Sequence, residues 1–240
     1  FACSKIVLQA AGASEYLAGM CTLSYGDGMP SIAFTSEQST SITLSGNITA
    51  NTAYYIAVPA VTLSAGWSIS FTDNTGDVYT RTGSNNITFK RNTIINLGEF
   101  SRTDNNLKLT LKENGNVPAD KQVDMGVFNI GGTNYRLIFT KSNLTTTGLA
   151  ANESDYGDYF AWGAIKPWYS SIDKSKSPWT ATWEKTGGYT EANAPYYNNG
   201  SYTKYTTEGN TLVASDDAAN VILGGDWWIP TQAIWQALVD

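Results

Sequence analysis

The sequence predicts a mainly β protein in which a β-sandwich is followed by a partial α+β module. Over residues 1–110, short runs of β-branched and aromatic residues alternate with clusters of turn residues. Only 15% of the 240 residues are charged, while Thr, Ser, Asn, Gly and Tyr are abundant, a balance that disfavours long surface helices. Helix start and stop signals occur near the end of the chain, over residues 215–238.

The strands expected in residues 1–110 are short and regularly spaced, as in a sandwich. Residues 67–71 alternate apolar and polar side chains, and turn residues 73–77 join them to 78–81, which is a hairpin signal. Residues 4–9 and 17–25 are expected to pair through a short turn. The other expected strands are 31–34, 41–44, 54–58, 87–89 and 94–97.

Two cysteines, Cys3 and Cys21, lie on the strands expected at 4–9 and 17–25, where they could face each other. Two cysteines do not make a disulfide framework. A pair of buried free thiols and a single bridge both remain open interpretations.

Four segments of this region share a pattern with a known family; they are residues 54–66, 69–73, 87–92 and 96–98. Together they resemble the fimbrillin-like domain of Bacteroidales pilins and pilus-associated proteins, over roughly residues 1–100. The resemblance implies a β-sandwich subunit that is lipid-anchored, clipped by a protease and joined to its neighbour by strand exchange. The lipidated cysteine of that family has no match, because Cys3 lies beside a strand without a preceding signal.

The second half of the chain begins with a turn-rich segment, 111–122, expected to be a connector, and continues as a module over 123–240. Near its end, Ser215 is expected to cap a short helix that Gly224 and Gly225 terminate. Residues 227–229 are expected to form a buried strand. Thr231 is expected to cap a second helix whose Ile234, Trp235 and Leu238 share one face.

Four pieces of this module occur in an order known from bacterial surface proteins; they are residues 123–126, 156–163, 216–219 and 225–231 with Trp235. The order resembles the Fibrobacter-succinogenes-type major paralogous domain, a relative of the C-type-lectin-like fold. That family continues with further strands, so the domain is expected to be incomplete here. Its usual basic residue is replaced by Trp228, and its acidic residues before Trp235 by Ala233 and Ile234.

The long stretch 164–214 is rich in tryptophan and tyrosine and is the best candidate for a ligand site. Such rings stack on the apolar faces of sugars, while their polar tips reach hydroxyl groups. The alternative is that the rings only pack this stretch onto its own domain. The candidate ligand-binding residues are Trp168, Trp179, Trp183, Tyr196 and Tyr197.

Several classes of chemistry find little support in the sequence. The chain has no histidine, which removes the commonest general base and metal ligand. Oxygen ligands for calcium could come from Asp155, Asp158, Asp216, Asp217 and Asp226, but the calcium-binding triplets of sugar-binding C-type lectins are absent. No metal or other cofactor is therefore expected. The net charge of −6 offers no footprint for nucleic acid, and no apolar run is long enough to span a membrane.

These observations predict a non-catalytic protein of the bacterial cell surface, on the extracellular face of the outer membrane, that serves adhesion or pilus assembly. Its expected partners are pilus subunits or surface proteins that pair with an exposed strand edge. The alternative is a carbohydrate-binding module of a surface glycan-capture system that uses the aromatic stretch.

Overall fold

The computed structural model describes residues 1–26, 28–173, 180–184, 186–188, 190–207 and 210–239. Strands account for 41% of the structure and helices for 10%, so the mainly β class predicted from the sequence is confirmed. The chain divides into two compact units, Phe1–Thr110 and Leu111–Asp240.

The first unit is built on a five-stranded antiparallel sheet in the order β4-β1-β6-β7-β9. Two further antiparallel pairs, β2–β3 and β5–β8, complete its strands. The bounds are β1 (Cys3–Ala10), β2 (Ala18–Gly26), β3 (Met29–Ser39), β4 (Ser41–Ile48), β5 (Val61–Leu63), β6 (Trp67–Asp73), β7 (Val78–Gly83), β8 (Ile87–Phe89) and β9 (Lys108–Thr110).

The core of the first unit lies on one face of the sheet, because alternate residues of its central strands point the same way. Ile69 and Phe71 of β6 are buried, as are Ile6 and Leu8 of β1. Strands β5 and β8 pack over one end of this face through Leu63. Two segments predicted to be strands, 54–58 and 94–97, have no regular structure, although their Ile56 and Leu97 pack against the core.

The predicted hairpin of residues 67–81 is confirmed as β6–β7, and Asp73 fixes its turn. The Asp73 carboxylate accepts hydrogen bonds from the backbone N–H groups of Thr75 and Asp77, both at 2.9 Å, and from Arg102 at 2.7 Å. Burial raises the pKa of Asp73, but these hydrogen bonds and the Arg102 charge outweigh it, so the pKa lies below its usual value. The buried carboxylate therefore remains charged and satisfied.

The predicted pairing of the first two strands is wrong. Strand β1 pairs with β4 and β6, whereas β2 pairs with β3. The strands β2 and β3 form a two-stranded ribbon, hereafter the arm, whose residues are almost all exposed. Cys3 is buried in the sheet and Cys21 is exposed on the arm, and both are free thiols, so the bridge interpretation fails because the two lie on strands that do not pair.

Over its described residues, the second unit forms antiparallel pairs of strands and two α-helices. Its elements are β10 (Gln122–Ile130), β11 (Thr133–Thr140), β12 (Leu144–Thr145), β13 (Gly148–Leu149), β14 (Tyr169–Asp173), β15 (Thr180–Trp183), β16 (Tyr197–Asn198), β17 (Ser201–Tyr202), α1 (Ala218–Leu223) and α2 (Gln232–Val239). Each consecutive pair of strands, from β10–β11 to β16–β17, forms its own two-stranded sheet.

The segment 111–122, expected to be a connector, belongs to the second unit. Val117 is completely buried and packs with Leu223 of α1 and with Trp227. The Asn114 carbonyl accepts a hydrogen bond from the Trp227 indole N–H at 2.8 Å. Residues 227–229, predicted to be a strand, are not one, because Trp227 is held by this loop contact instead of by a sheet ladder.

The cap of α1 is Asp217 and not the predicted Ser215, because residues Ala214–Asp216 form a 3₁₀ turn that delays the start of the helix. One Asp217 oxygen accepts from the Asn220 N–H and the other from the Ile229 N–H, both at 2.9 Å. Gly224, with φ of 68°, ends the helix as predicted.

The predicted second helix is confirmed as α2. Thr231 caps it by accepting a hydrogen bond from the Ile234 N–H at 3.4 Å. Trp235 packs edge-on against Phe139 of β11, with ring centroids 5.9 Å apart. Among the described residues, no helix combines the length and apolar character that crossing a membrane requires.

Candidate functional site

A cleft of about 370 Å³ opens in the aromatic part of the second unit. Its size falls at the lower end of small-ligand clefts, and its walls combine flat rings with a few polar groups. The residues that line it are Ala161, Trp162, Trp168, Thr190, Glu191, Ala194, Pro195, Tyr202, Lys204 and Tyr205.

The floor of the cleft is Trp168, which is 8% exposed. It packs with Ala161, Ala164 and Ala194, small residues that let the indole lie close to the backbone. Its carbonyl accepts a hydrogen bond from the Glu184 N–H at 2.9 Å, beyond the end of β15. Trp168 is thus fixed by the protein on one side and accessible to the cleft on the other.

Tyr169, the residue after Trp168, packs edge-on against Trp183 across β14 and β15, with ring centroids 6.2 Å apart. Burial, followed by hydrogen bonding to Asp158, raises the pKa of Tyr169 to about 12. The Tyr169 hydroxyl accepts a hydrogen bond from the Tyr159 N–H at 3.2 Å. These contacts make Tyr169 a structural support and not an acid or base.

One wall of the cleft is the hairpin β16–β17, which presents Tyr202. The turn residues Asn199 and Gly200 have φ values of 49° and 83°, the positive pair that a two-residue hairpin turn of the primed type requires. Tyr197 packs edge-on against Tyr202 at 5.1 Å. Tyr202 remains 38% exposed and Trp162, elsewhere on the wall, 43%, so both rings are available to a ligand.

The other wall depends on the carboxylate of Asp216. It forms an ion pair with Lys204 and accepts a hydrogen bond from the Tyr205 hydroxyl at 2.6 Å. The Lys204 ammonium lies 5.1 Å from the ring centres of both Tyr196 and Tyr205, within reach of a cation–π interaction. The Lys204 side chain is therefore held in one place at the rim.

Electrostatics reinforce this arrangement. The hydrogen bond from Lys204, followed by that from Tyr205, holds the pKa of Asp216 well below its usual value. The same bond raises the pKa of Lys204, and hydrogen bonding to Asp216 raises the pKa of Tyr196. Across the ordinary pH range, Asp216 is thus a fixed anion and Lys204 a fixed cation.

Gly163 lets the chain pass close to the rings of Tyr196 and Tyr205. Its φ is 82°, and an added methyl group would lie 3.1 Å from Tyr196 and 3.2 Å from Tyr205. Tyr196 and Tyr205 themselves have positive φ angles of 61° and 56°, which is uncommon for bulky residues. Such a strained backbone persists only where the surrounding contacts over-determine it.

The structure brings together only part of the predicted site. Trp168 lines the cleft, whereas Trp183 packs on Tyr169 and is not among the lining residues. Tyr196 and Tyr197 are not lining residues either, but they pack edge-on against the lining rings of Tyr205 and Tyr202. Trp179 lies outside the described residues. Within the aromatic stretch, several rings pack on one another and others line the cleft, and its role as a ligand site stays a prediction.

Sequence reasoning missed Trp162, Tyr202, Lys204, Tyr205 and Glu191 as site residues. Trp162 belongs to the segment 156–163, one of the four pieces that carry the lectin-like resemblance, and precedes the aromatic stretch 164–214. The Asn199-Gly200 pair was an available signal, because Asn-Gly between two tyrosine-containing runs predicts a hairpin. No sequence signal links Lys204 to Asp216, which is twelve residues away.

The five aspartates weighed as calcium ligands do not converge. Asp217 caps α1, Asp216 pairs with Lys204, and Asp158 accepts from the Thr146 N–H at 2.9 Å. Over the part of the chain that the structure describes, no group of three or more His, Cys, Asp or Glu residues could hold a metal ion.

Comparison of this chain with protein families, curated proteins and solved structures gave no match. The fimbrillin-like and lectin-like resemblances accordingly remain predictions.

Proposed function

We propose that this chain is a non-catalytic adhesion protein of the bacterial cell surface that holds a glycan in the aromatic cleft of its second unit. The observation that carries the proposal is the cleft itself, where the accessible rings of Trp162 and Tyr202 stand around the fixed indole of Trp168. The proposal joins adhesion, which the sequence predicts, with carbohydrate binding, which is the alternative to that prediction.

The chemistry of the walls suits a sugar. A pyranose ring has apolar C–H faces that stack on aromatic rings, and hydroxyl groups around its edge that need polar partners. The cleft supplies polar partners through Thr190, Glu191 and Lys204. Because the Lys204 ammonium is already paired with Asp216, it favours a neutral hydroxyl over a strongly anionic ligand.

The same geometry supports binding without turnover. Glycoside hydrolysis commonly uses two carboxyl groups on either side of the scissile bond. Among the described residues that line the cleft, Glu191 is the one that carries a carboxylate. The nearby Asp216 is committed to Lys204 and Tyr205, and its lowered pKa makes it a poor proton donor.

A glycan array followed by calorimetric titration of the best glycan tests this function. Trp162→Ala removes an exposed stacking surface, so we expect affinity to fall about tenfold or more, which corresponds to about 1.4 kcal/mol. Trp228→Ala is the matched control, since Trp228 is a similarly exposed indole of the same unit outside the cleft.

The proposal fails if no glycan binds, or if Trp162→Ala and Trp228→Ala weaken binding equally. It also fails as a non-catalytic function if the bound glycan is cleaved and Glu191→Gln abolishes the cleavage.

A second candidate function, that of a subunit in a pilus or similar assembly, is favoured by the edge of the first unit's sheet. β4 is an outer strand of that sheet and carries no charged residue. An uncharged outer strand can accept a strand from another chain through its backbone groups.

Ser45→Lys on β4 should then reduce assembly seen by electron microscopy, whereas Ala53→Lys, at an exposed site outside the strands, should not. Equal assembly by both variants would exclude this edge.

A further inference from the structure

The arm of the first unit extends the edge of the sheet. Strand β3 continues into β4 after a single residue, so one long run of chain forms both the arm and the sheet edge. Two backbone hydrogen bonds of 2.8 Å fix its base, from Leu17 to Ser39 and from Ala10 to Thr40. From Gly19 to the end of β2, every described residue of that strand is exposed.

The two faces of the arm differ in chemistry. Cys21 lies opposite Phe34, Leu23 opposite Ile32, and Tyr25 opposite Pro30, so these six side chains share one face. The alternate residues form the other face, where Ser24 and Ser31 are opposite each other and their hydroxyl groups are joined at 2.7 Å.

The six-residue face, hereafter the apolar face, is open to solvent over most of its length, while Phe34 meets the ring of Tyr16 edge-on at 6.1 Å. Leu23 is 53% exposed, Ile32 49% and Tyr25 74%. A two-stranded ribbon is only marginally stable on its own in water, and contiguous exposed apolar surface commonly marks an interaction site. A partner that covered the apolar face would therefore stabilise the arm, and the exposed apolar side chains supply the surface for that contact.

Charge argues for the nature of the covering partner. In the sequence, residues 18–39 contain no basic side chain and two acidic ones, Asp27, which falls between the end of β2 and the start of β3, and Glu37, which is in β3 but not among the six residues of the apolar face. A charged partner would have its own charges desolvated here without receiving an opposite charge. A second copy of the apolar face presents the same apolar side chains and no charge to repel it.

The available area sets the strength of such a contact. A buried aromatic side chain alone covers roughly 150–250 Å², so the six half-exposed side chains offer on the order of 500 Å². Two copies packed face to face would remove about 1,000 Å² in total, the lower limit for a specific interface. A two-fold arrangement closes on itself, so association stops at the dimer.

We propose that the arm is a homodimerisation element and that two copies of this chain pack through their apolar faces, with the two-fold axis near the Leu23–Ile32 pair. The contact is made by side chains, so it differs from backbone pairing at the β4 edge. It is also independent of glycan binding in the second unit.

Sedimentation velocity of the full chain over a wide concentration range tests the proposal. The unchanged chain should show a reversible monomer–dimer equilibrium. Leu23→Ser removes a central apolar side chain, and its dissociation constant should rise at least tenfold. Thr22→Ser is the matched control, because Thr22 is the neighbouring residue on the opposite face, and its equilibrium should be unchanged.

Charge complementation distinguishes a variant that has lost the dimer interface from one that is misfolded. Leu23→Lys and Leu23→Glu should each be monomeric, because like charges would meet near the two-fold axis. An equimolar mixture of the two should form a heterodimer that salt weakens. Circular dichroism of each variant alone should match that of the unchanged chain.

Dimers that persist in Leu23→Ser, or a mixture of the charged variants that stays monomeric, would overturn the proposal. A chain that is monomeric at every concentration would overturn it too.

If the chain is monomeric, the rate at which Cys21 reacts with a thiol reagent identifies what covers the arm. Slow labelling indicates cover by the same chain, fast labelling a bare arm, and co-sedimentation with neutral phosphatidylcholine vesicles a lipid surface.

Discussion

Asp216 holds one wall of the cleft in place, and its protonation should release that wall. Because the pKa of Asp216 is lowered in the folded protein, its stabilising contribution is fully present above the unfolded pKa of about 3.9. That contribution is lost as the pH falls through the folded value. The rim of Lys204, Tyr205 and Tyr196 should therefore loosen only in strong acid.

Asp216→Asn should abolish this part of the pH dependence. We expect the variant to be less stable than the unchanged chain above pH 4, with the difference shrinking below it, as measured by thermal unfolding at a series of pH values. Asp226→Asn, at an exposed carboxylate of the same unit, is the control. A constant difference between Asp216→Asn and the unchanged chain at all pH values would contradict the assigned role.

Gly163 and Gly200 allow backbone strain and crowding to be separated. Their φ angles are almost equal, 82° and 83°, but a methyl group at Gly200 would meet nothing within 4 Å, whereas one at Gly163 would press on Tyr196 and Tyr205. Gly200→Ala should cost about 1 kcal/mol from the backbone alone. Gly163→Ala should cost at least about 1 kcal/mol more and should also weaken ligand binding. Equal losses in the free energy of unfolding of the two variants, measured by chemical denaturation, would show that Tyr196 and Tyr205 move aside without a cost in stability.

Single residues also show why the site was only partly predictable. The composition of residues 164–214 correctly indicates a cluster of rings, because tryptophan and tyrosine need burial or a partner. Which ring faces outward depends on contacts such as Lys204–Asp216 and on the positive φ of Tyr196, and neither leaves a local pattern. Trp162 therefore was missed, while Trp183 was chosen although it packs on Tyr169 and does not line the cleft.

The residue that caps α1 differs between the sequence prediction and the structure, and substitutions can test the difference. Asp217 is 1% exposed and accepts two backbone hydrogen bonds, so Asp217→Ala should cost about 2–4 kcal/mol in the free energy of unfolding. Ser215→Ala should cost less than about 1 kcal/mol, because Ser215 does not cap the helix. Urea denaturation measures the free energy of unfolding of both variants. A larger loss for Ser215→Ala than for Asp217→Ala would support Ser215 as the cap.

Among the strands, local hairpins were predictable and distant pairings were not. The β6–β7 hairpin follows from alternation and from the turn residues between its strands. The partners of β1, by contrast, are β4 and β6, roughly 35 and 60 residues further along the chain. Strand β2 was given the wrong partner because a short turn is equally compatible with a strand that leaves the sheet and forms the arm.

The boundary between the two units predicts which fragments fold. A fragment of residues 111–240 keeps Val117 and Asn114, which pack on and bond to Trp227. A fragment of residues 123–240 follows the boundary expected from the sequence and lacks both. We expect it to be less stable by more than about 3 kcal/mol, or unfolded, in thermal unfolding monitored by near-UV circular dichroism. Equal midpoints for the two fragments would show that residues 111–122 do not stabilise the second unit.

For the molecule as a whole, the most direct measurement follows the indole N–H signals of its eight tryptophans by NMR while the best-binding glycan is added. The account predicts that the signals of Trp162 and Trp168 shift, that the signal of Trp228 stays in place, and that the glycan is recovered intact. Shifts confined to tryptophans outside the cleft, or a glycan that is consumed during the titration, would contradict it.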